Sequence, residues 1–247
     1  ERSRGLGDVY KRQKGNKVIG GLSKAFLSNE GYRVVQKGSA FGAIDSTGAV
    51  VIPIEYTNSL TSVNNGRLGV QKNASWFYVD MKGQIVSDKY DRIGNFHRGY
   101  ASVCLNKLWG AIDLQNRVVV PLEWQGVAPI VDPKLIWVKK DNLYYLYDGV
   151  QKSVRLKQGF ANASNFDNEM AYVMSDGKWG IIDPDGKILV PCLFEKEEDM
   201  VLAKQYMLAE DKKNLTEVEA LRVIARFDPD TNMFKITSVI PDKHWDY

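Results

Sequence analysis

Histidine and cysteine are nearly missing from this chain, with two of each among 247 residues. His97 and His244 lie far apart, and neither has a Cys or a second His at metal-ligand spacing, so no metal site and no cofactor are expected. Cys104 and Cys192 read as two free thiols rather than a disulfide framework. Long apolar runs are lacking as well. Val118-Val119-Val120 and Ile188-Leu189-Val190 both end within a few residues at a Pro or a charge, so no segment reaches membrane-spanning length. P-loop, GxGxxG, GxSxG and HExxH motifs do not occur. Nor is there a surplus of one charge. The net charge is +3, and residues 1–13 hold four basic residues against two acidic ones, which leaves about +1 for the rest. Binding a phosphate backbone needs clustered Lys and Arg, so nucleic acid is not an expected partner.

The first residue is not Met, and no basic start leads into an apolar stretch, so the compartment stays open, with a lean toward the bacterial envelope or secretion. Residues 1–13, ERSRGLGDVYKRQ, have no hydrophobic period and resemble translated adapter sequence from assembled metagenomic reads. They are set aside from the fold.

What the chain does have is a repeat. An aromatic-Gly or aromatic-aromatic pair is followed by two residues and then Asp, at Asp45, Asp80, Asp113, Asp148 and Asp183. The spacings of 35, 33, 35 and 35 residues make coincidence a poor explanation. After the Asp comes a turn with Gly or Asn at its third position (Gly48, Gly83, Asn116, Gly186), which suits a residue held at positive φ. An apolar β-branched run then leads to Pro53, Pro121 or Pro191, and three residues on to a closing aromatic, Tyr56, Trp124 or Phe194. Another candidate strand lies upstream of each aromatic pair, beginning at Tyr32, Arg67, Ala101, Ile136 and Ala171. Each unit thus offers three short strands. The connectors, Tyr90-Ile93-Phe96 and Phe160-Ala163-Phe166, are expected to pack over the next unit.

Gly-x-Ala-x-Val, Lys-x-Trp-Gly-x-Ile-Asp, Gly-Lys-x-x-x-Pro and the closing aromatic together resemble the bacterial WG repeat, also called KWG. The best copies are Phe96 to Trp124 and Phe166 to Phe194, and the resemblance covers about Tyr32 to Glu195. The second and fourth units depart from it. Trp76 is followed by Phe77, Tyr144-Tyr145 replaces Trp-Gly, and both units lack the Pro.

The predicted fold is all-β, with tandem three-stranded antiparallel β repeats in an open curved solenoid. A β-propeller of five or six blades is the alternative. The array occupies 14–195, with a partial unit followed by five full ones, and 196–247 reads as a diverged terminal repeat or cap. That terminus opens on Glu197, Glu198 and Asp199, and it offers a hairpin over Leu221 to Ile240 with a turn at Asp228 to Asn232.

Three short strands cannot bury two sheet faces, so each unit must hide its apolar residues against its neighbours. Phe41-Gly42, Trp109-Gly110 and Trp179-Gly180 are therefore read as structural core, the Gly admitting a neighbouring backbone or ring. Asp45, Asp80, Asp113, Asp148 and Asp183 are read as turn caps rather than catalytic carboxylates. No catalytic residue is expected and the chain is not read as an enzyme. Its 27 Trp, Tyr and Phe exceed what the recurring core positions use. Tyr100, Tyr172, Tyr144, Tyr145 and Tyr147 are candidates for a ligand-binding stripe, together with Trp76 and Tyr78 where the copies differ. The expected role is that of a monomeric module binding protein or glycan, or acting as a spacer. The alternative is an envelope polysaccharide hydrolase with carboxylates grouped by the fold.

Overall fold

The computed structural model describes residues 21–196 in full and, beyond them, the backbone of the strands Val218–Ala220, Val223–Asp228 and Met233–Val239. Residues 1–20, the cluster from Glu197 to Asp199, the turn residues Pro229 to Asn232, and His244 lie outside the described residues. Among the described residues every regular element is a β-strand. The chain divides into two compact bodies, Glu1–Ile136 with Gly149–Lys152, and Trp137–Asp148 with Ser153–Tyr247.

The repeat register is the register of the sheets. The first sheet runs in the order Lys24–Ala25, Tyr32–Lys37, Ala40–Asp45, Val50–Tyr56. The third runs Arg92–Ile93, Tyr100–Leu105, Leu108–Asp113, Val118–Trp124, and the fifth Asn162–Ala163, Ala171–Ser175, Lys178–Ile182, Ile188–Phe194. The three expected strands of these units are present, joined by a fourth. The connector packs over the next unit as expected, Phe96 and Ile93 lying against Ala101, Val103 and Ile112, and two of its residues also pair with that unit's first strand, as in Ile93 with Val103 and Ala163 with Val173. A two-residue strand is too short to show a period of two in the sequence.

Local chemistry explains the tightness of the hairpins. The first and second strands are joined by two-residue loops, Asn73-Ala74, Asn106-Lys107, Asp141-Asn142 and Asp176-Gly177, in which both residues have positive φ. That is the type I′ geometry whose twist matches the flanking strands, and Asn, Asp and Gly tolerate it best. The turn after the second strand differs. In the third repeat the Asp113 N–H donates to Arg117 O at 3.0 Å and the Asn116 N–H to Asp113 O at 3.0 Å. Asn116 takes the positive φ there, as Gly48, Gly83 and Gly186 do in their repeats.

The Gly of the aromatic-Gly pair and the Pro downstream form one device. Opposite Gly42, Gly110 and Gly180 the third strand bulges, and the register slips between Phe41 and Ala43, between Trp109 and Ala111, and between Trp179 and Ile181. The bulge contains the Pro, which has no N–H to waste. It folds so closely over the second strand that a Cβ on Gly110 would lie 2.5 Å from Val120 O, and one on Gly42 2.6 Å from Ile52 O. Where Phe77 or Tyr145 replaces the Gly, the seven-residue third strand is lost. The second sheet has only Asn58–Ser59, Arg67–Lys72 and Ser75–Asp80. In the fourth, the third strand shrinks to Ser153–Val154.

In the first body the sheets stack face to face. Val34, Ala43, Ile52 and Tyr56 of the first sheet pack against Leu68, Val70, Phe77 and Val79 of the second. Tyr78 and Tyr90 on the other face of the second sheet pack against Ala101, Val103 and Ile112 of the third. The turns are stitched together along this stack. The Glu30 carboxylate accepts from the N–H groups of Asn65 and Gly66 at 2.7 and 2.8 Å, and Asn65 Oδ1 accepts from Gly99 N at 3.0 Å. In the second body Trp137 is buried against Phe160 and stacks on Phe166, with ring centroids 6.2 and 6.0 Å away.

Candidate functional site

The first two strands of each unit meet in a two-residue hairpin, type I′ except in the first unit, where only Gly38 of Gly38-Ser39 has positive φ, and one aromatic per unit stands beside that end. Phe41, Trp76 and Trp109 hold this position in the first body, and Tyr144 and Trp179 in the second. All five are half-buried rather than in the core where the Trp-Gly pairs were expected. The reason is their place near the strand end, where the core is already filled by the closing aromatic. Trp109 pairs directly with Trp124, and Trp179 with Phe194, and these closing rings are buried, as Tyr56 is in the first repeat. Among the described residues no acceptor takes the indole N–H of Trp76, Trp109 or Trp179. By contrast, buried Trp137 donates its Nε1–H to Ser164 O at 2.7 Å.

Directly paired residues on neighbouring strands point to the same face. In the second repeat Asn58 pairs with Gln71 and Gln71 with Trp76, so two amides and an indole lie in one row. In the first, Lys24 pairs with Gln36 and Gln36 with Phe41. The nearby Lys72 ammonium is neutralised by Glu55 at 2.8 Å. Among the described residues, no group of three His, Cys, Asp or Glu could hold a metal ion.

The other candidate binding residues separate by burial. Tyr78 and Tyr147 are core residues, at 1% and 3% exposure, and cannot form part of a surface stripe. Tyr78 donates its hydroxyl to Gly94 O at 2.5 Å, and burial pushes its pKa well up. Tyr100, Tyr145 and Tyr172 are half-buried but fall at different register positions. Tyr100 faces Asp113, and Tyr172 faces Ile181, so they do not form one row. Tyr144 belongs to the hairpin-end set, and Lys139 Nζ lies 5.3 Å from its ring centroid. The amides Gln36, Asn58 and Gln71 were not foreseen; the shared place of Gln36 and Gln71 two residues before their hairpin loops was the signal that could have found those two.

The repeated carboxylates are occupied in their turns. Oδ1 of Asp45, Asp80, Asp113 and Asp183 each accepts two main-chain N–H groups, from the residues two and four positions on. The Thr47 hydroxyl holds the Asp45 pKa below its ordinary value, and the Gln84 amide does the same for Asp80. Burial alone would raise Asp113, but Arg117, through its amide and guanidinium, and the Gln115 amide outweigh it and lower it. Asp148 is buried and pairs with Arg155 at 3.0 Å. Both cysteines are free, with pKa values raised by burial.

Fold and site together define a tandem antiparallel β-repeat protein with a recurring aromatic at one end of each sheet. The sequence matches the family profile of the WG containing repeat over residues 41–76, 76–109, 109–144 and 179–196, and the chain belongs to that family. No helix among the described residues is long and apolar enough to cross a membrane. Among solved structures, a eukaryotic initiation factor is similar at TM-score 0.47 and 11% identity, over 68% of this chain and 54% of that one. Hsv2 of Kluyveromyces lactis follows at TM-score 0.43 and 7% identity, over 67% and 63%. A protein of unknown function from Bacteroides caccae gives 0.30 and 14%, over 68% and 80%. The chain thus matches less than two thirds of the length of the first two, and likenesses this slight carry no argument about function. No curated protein matches the sequence.

Proposed function

We propose that the chain is a non-enzymatic, monomeric interaction module that binds protein or glycan at the hairpin ends of its sheets. The observation that carries this is the half-buried aromatic at one register position in each of the five repeats, with the indole N–H groups of Trp76, Trp109 and Trp179 left without an acceptor among the described residues. Rigid rings with a polar handle give contact area at low entropic cost.

The hydrolase reading is weaker. A glycosidase needs one carboxyl kept protonated near neutral pH. The hydrogen bonds on Asp45, Asp80 and Asp113 pull the other way. The test is a glycan array and a set of immobilised proteins probed with wild type and a Trp76→Ala/Trp109→Ala variant, followed by a turnover assay on whatever is retained. Retention that depends on both rings, without turnover, is expected. Turnover of a retained glycan would contradict the non-enzymatic reading, and retention indifferent to both rings would contradict the site.

A further inference from the structure

The aromatic row can be carried to a ligand class, in an inference that rests on the binding function proposed above. We propose that Phe41, Trp76 and Trp109, with Gln36, Asn58 and Gln71 beside them, form a platform for an extended, uncharged, β-linked polysaccharide.

Three features support this. First, the spacing: the sheets of the first body stack face to face through their cores. Rings at one register position therefore recur at about 10 Å, the distance between packed sheets. An extended β-1,4-linked chain presents equivalent sugar faces every second residue at a comparable distance, so successive rings meet alternate sugars without bending the chain. A folded protein partner has no reason to share that period. Second, the polar groups: Asn58 Oδ1 accepts from Ser59 N at 2.9 Å and Gln71 Nε2 donates to Ala74 O, which leaves the other end of each amide for hydroxyls. Amides donate and accept, as sugar hydroxyls do. Third, the charge: Lys72 is already paired with Glu55 and Lys24 lies over the Phe26 ring, and Arg92, which shares the Trp109 row through Cys104, is a single cation beside three rings, too few to favour an acidic polymer.

Affinity electrophoresis of the full chain tests the proposal, with hydroxyethylcellulose, dextran or polygalacturonate cast in the gel. Hydroxyethylcellulose alone should retard the wild type. Trp76→Ala, Trp109→Ala and the surface change Gln71→Ala should each weaken retardation, by about tenfold for a lost ring. Ile85→Ser, 60% exposed beside the Asp80 turn at the other end of its sheet, should change nothing. Because the Trp variants could fold poorly, a second measurement stands apart from them: cellohexaose should shift the wild-type tryptophan fluorescence and cellobiose should do so far less, since only the longer chain spans neighbouring rings. Retardation by polygalacturonate alone would overturn the proposal, as would equal responses to cellobiose and cellohexaose. Absence of any response to β-linked glycans would also overturn it, while ring-dependent capture of a protein would leave the broader binding function standing.

Discussion

The first, third and fifth repeats carry both the Gly and the Pro, and the second and fourth carry neither. The difference runs through the whole architecture. With Gly present, the third strand lies across the second as a seven-residue bulged strand. With an aromatic instead, the third segment touches the second at isolated bridges, Trp76 with Tyr90 and Val79 with Ile85 in the second repeat, and in the fourth at Tyr144 with Phe160 and through the two-residue strand Ser153–Val154. The departing repeats are tied to the next turn by polar groups. Asn116 Nδ2 donates to Asp88 at 3.0 Å, and the Tyr90 hydroxyl donates to Asn116 Oδ1 at 3.3 Å. In the second body Arg155 bridges Asp148 and Asp185, at 3.0 Å each. At the equivalent junction after the first repeat, Gly83 sits against Pro53. Two ways of closing a repeat therefore alternate along one chain, one apolar and bulged, the other aromatic and hydrogen-bonded.

Substitutions can break this comparison or sharpen it. The largest effect is expected at Trp137, which fills the core of the fourth repeat. Trp137→Ala should cost about 3–5 kcal/mol in denaturant unfolding, while Trp109→Ala, half-buried in a Gly–Pro repeat, should cost about 1–2 kcal/mol. Equal losses would mean that the two Trp positions do the same job. Gly110→Ala comes next, at about 3 kcal/mol, because its Cβ meets main-chain atoms that cannot step aside. Gly69→Ala, facing the flexible ends of Leu60 and Ile93, should cost about 1 kcal/mol by the same assay.

Arg155→Met should lower stability by about 2 kcal/mol, since it removes a partner from buried Asp148, although a quarter of the arginine side chain is exposed and screened. Arg117→Met in the third repeat, whose largely exposed guanidinium pairs with Asp113, should cost less, about 1 kcal/mol or under by the same assay. The smallest effect is expected from Tyr90 at alkaline pH. Burial, helped by Asp88, pushes its pKa from 10.0 up to about 12. A phenol with a raised folded-state pKa stabilises fully below the unfolded value and loses that contribution as pH rises through the folded value. Thermal stability should therefore hold to about pH 10 and fall toward pH 12, less steeply in Tyr90→Phe. An identical pH profile in that variant would remove Tyr90 as the cause.

The repeat was legible in the sequence because its punctuation is chemical. Asp, then Gly or Asn three residues on, suits the turn geometry in four of the five units, Asp148 being followed by Gln151, so the Asp spacing revealed the sheet register directly. The joint presence of Gly and Pro was visible too, but its meaning was not, since the two residues meet only when the third strand folds back. The two-residue edge strands left no periodic trace. The half-exposure of Trp109 was also hidden, because alternation assigns a side chain to a face of a sheet but not to the covered or open end of a stack. Asn116 and Asp88, 28 residues apart, carry no local signal of their contact.

The central claim is that Gly at the second position of the pair exists to admit the bulged third strand. Hydrogen exchange on Gly110→Ala tests it most directly. Amides of Val118–Trp124 should lose protection while those of Tyr100–Leu105 keep theirs. Undiminished protection across Val118–Trp124 would contradict the account.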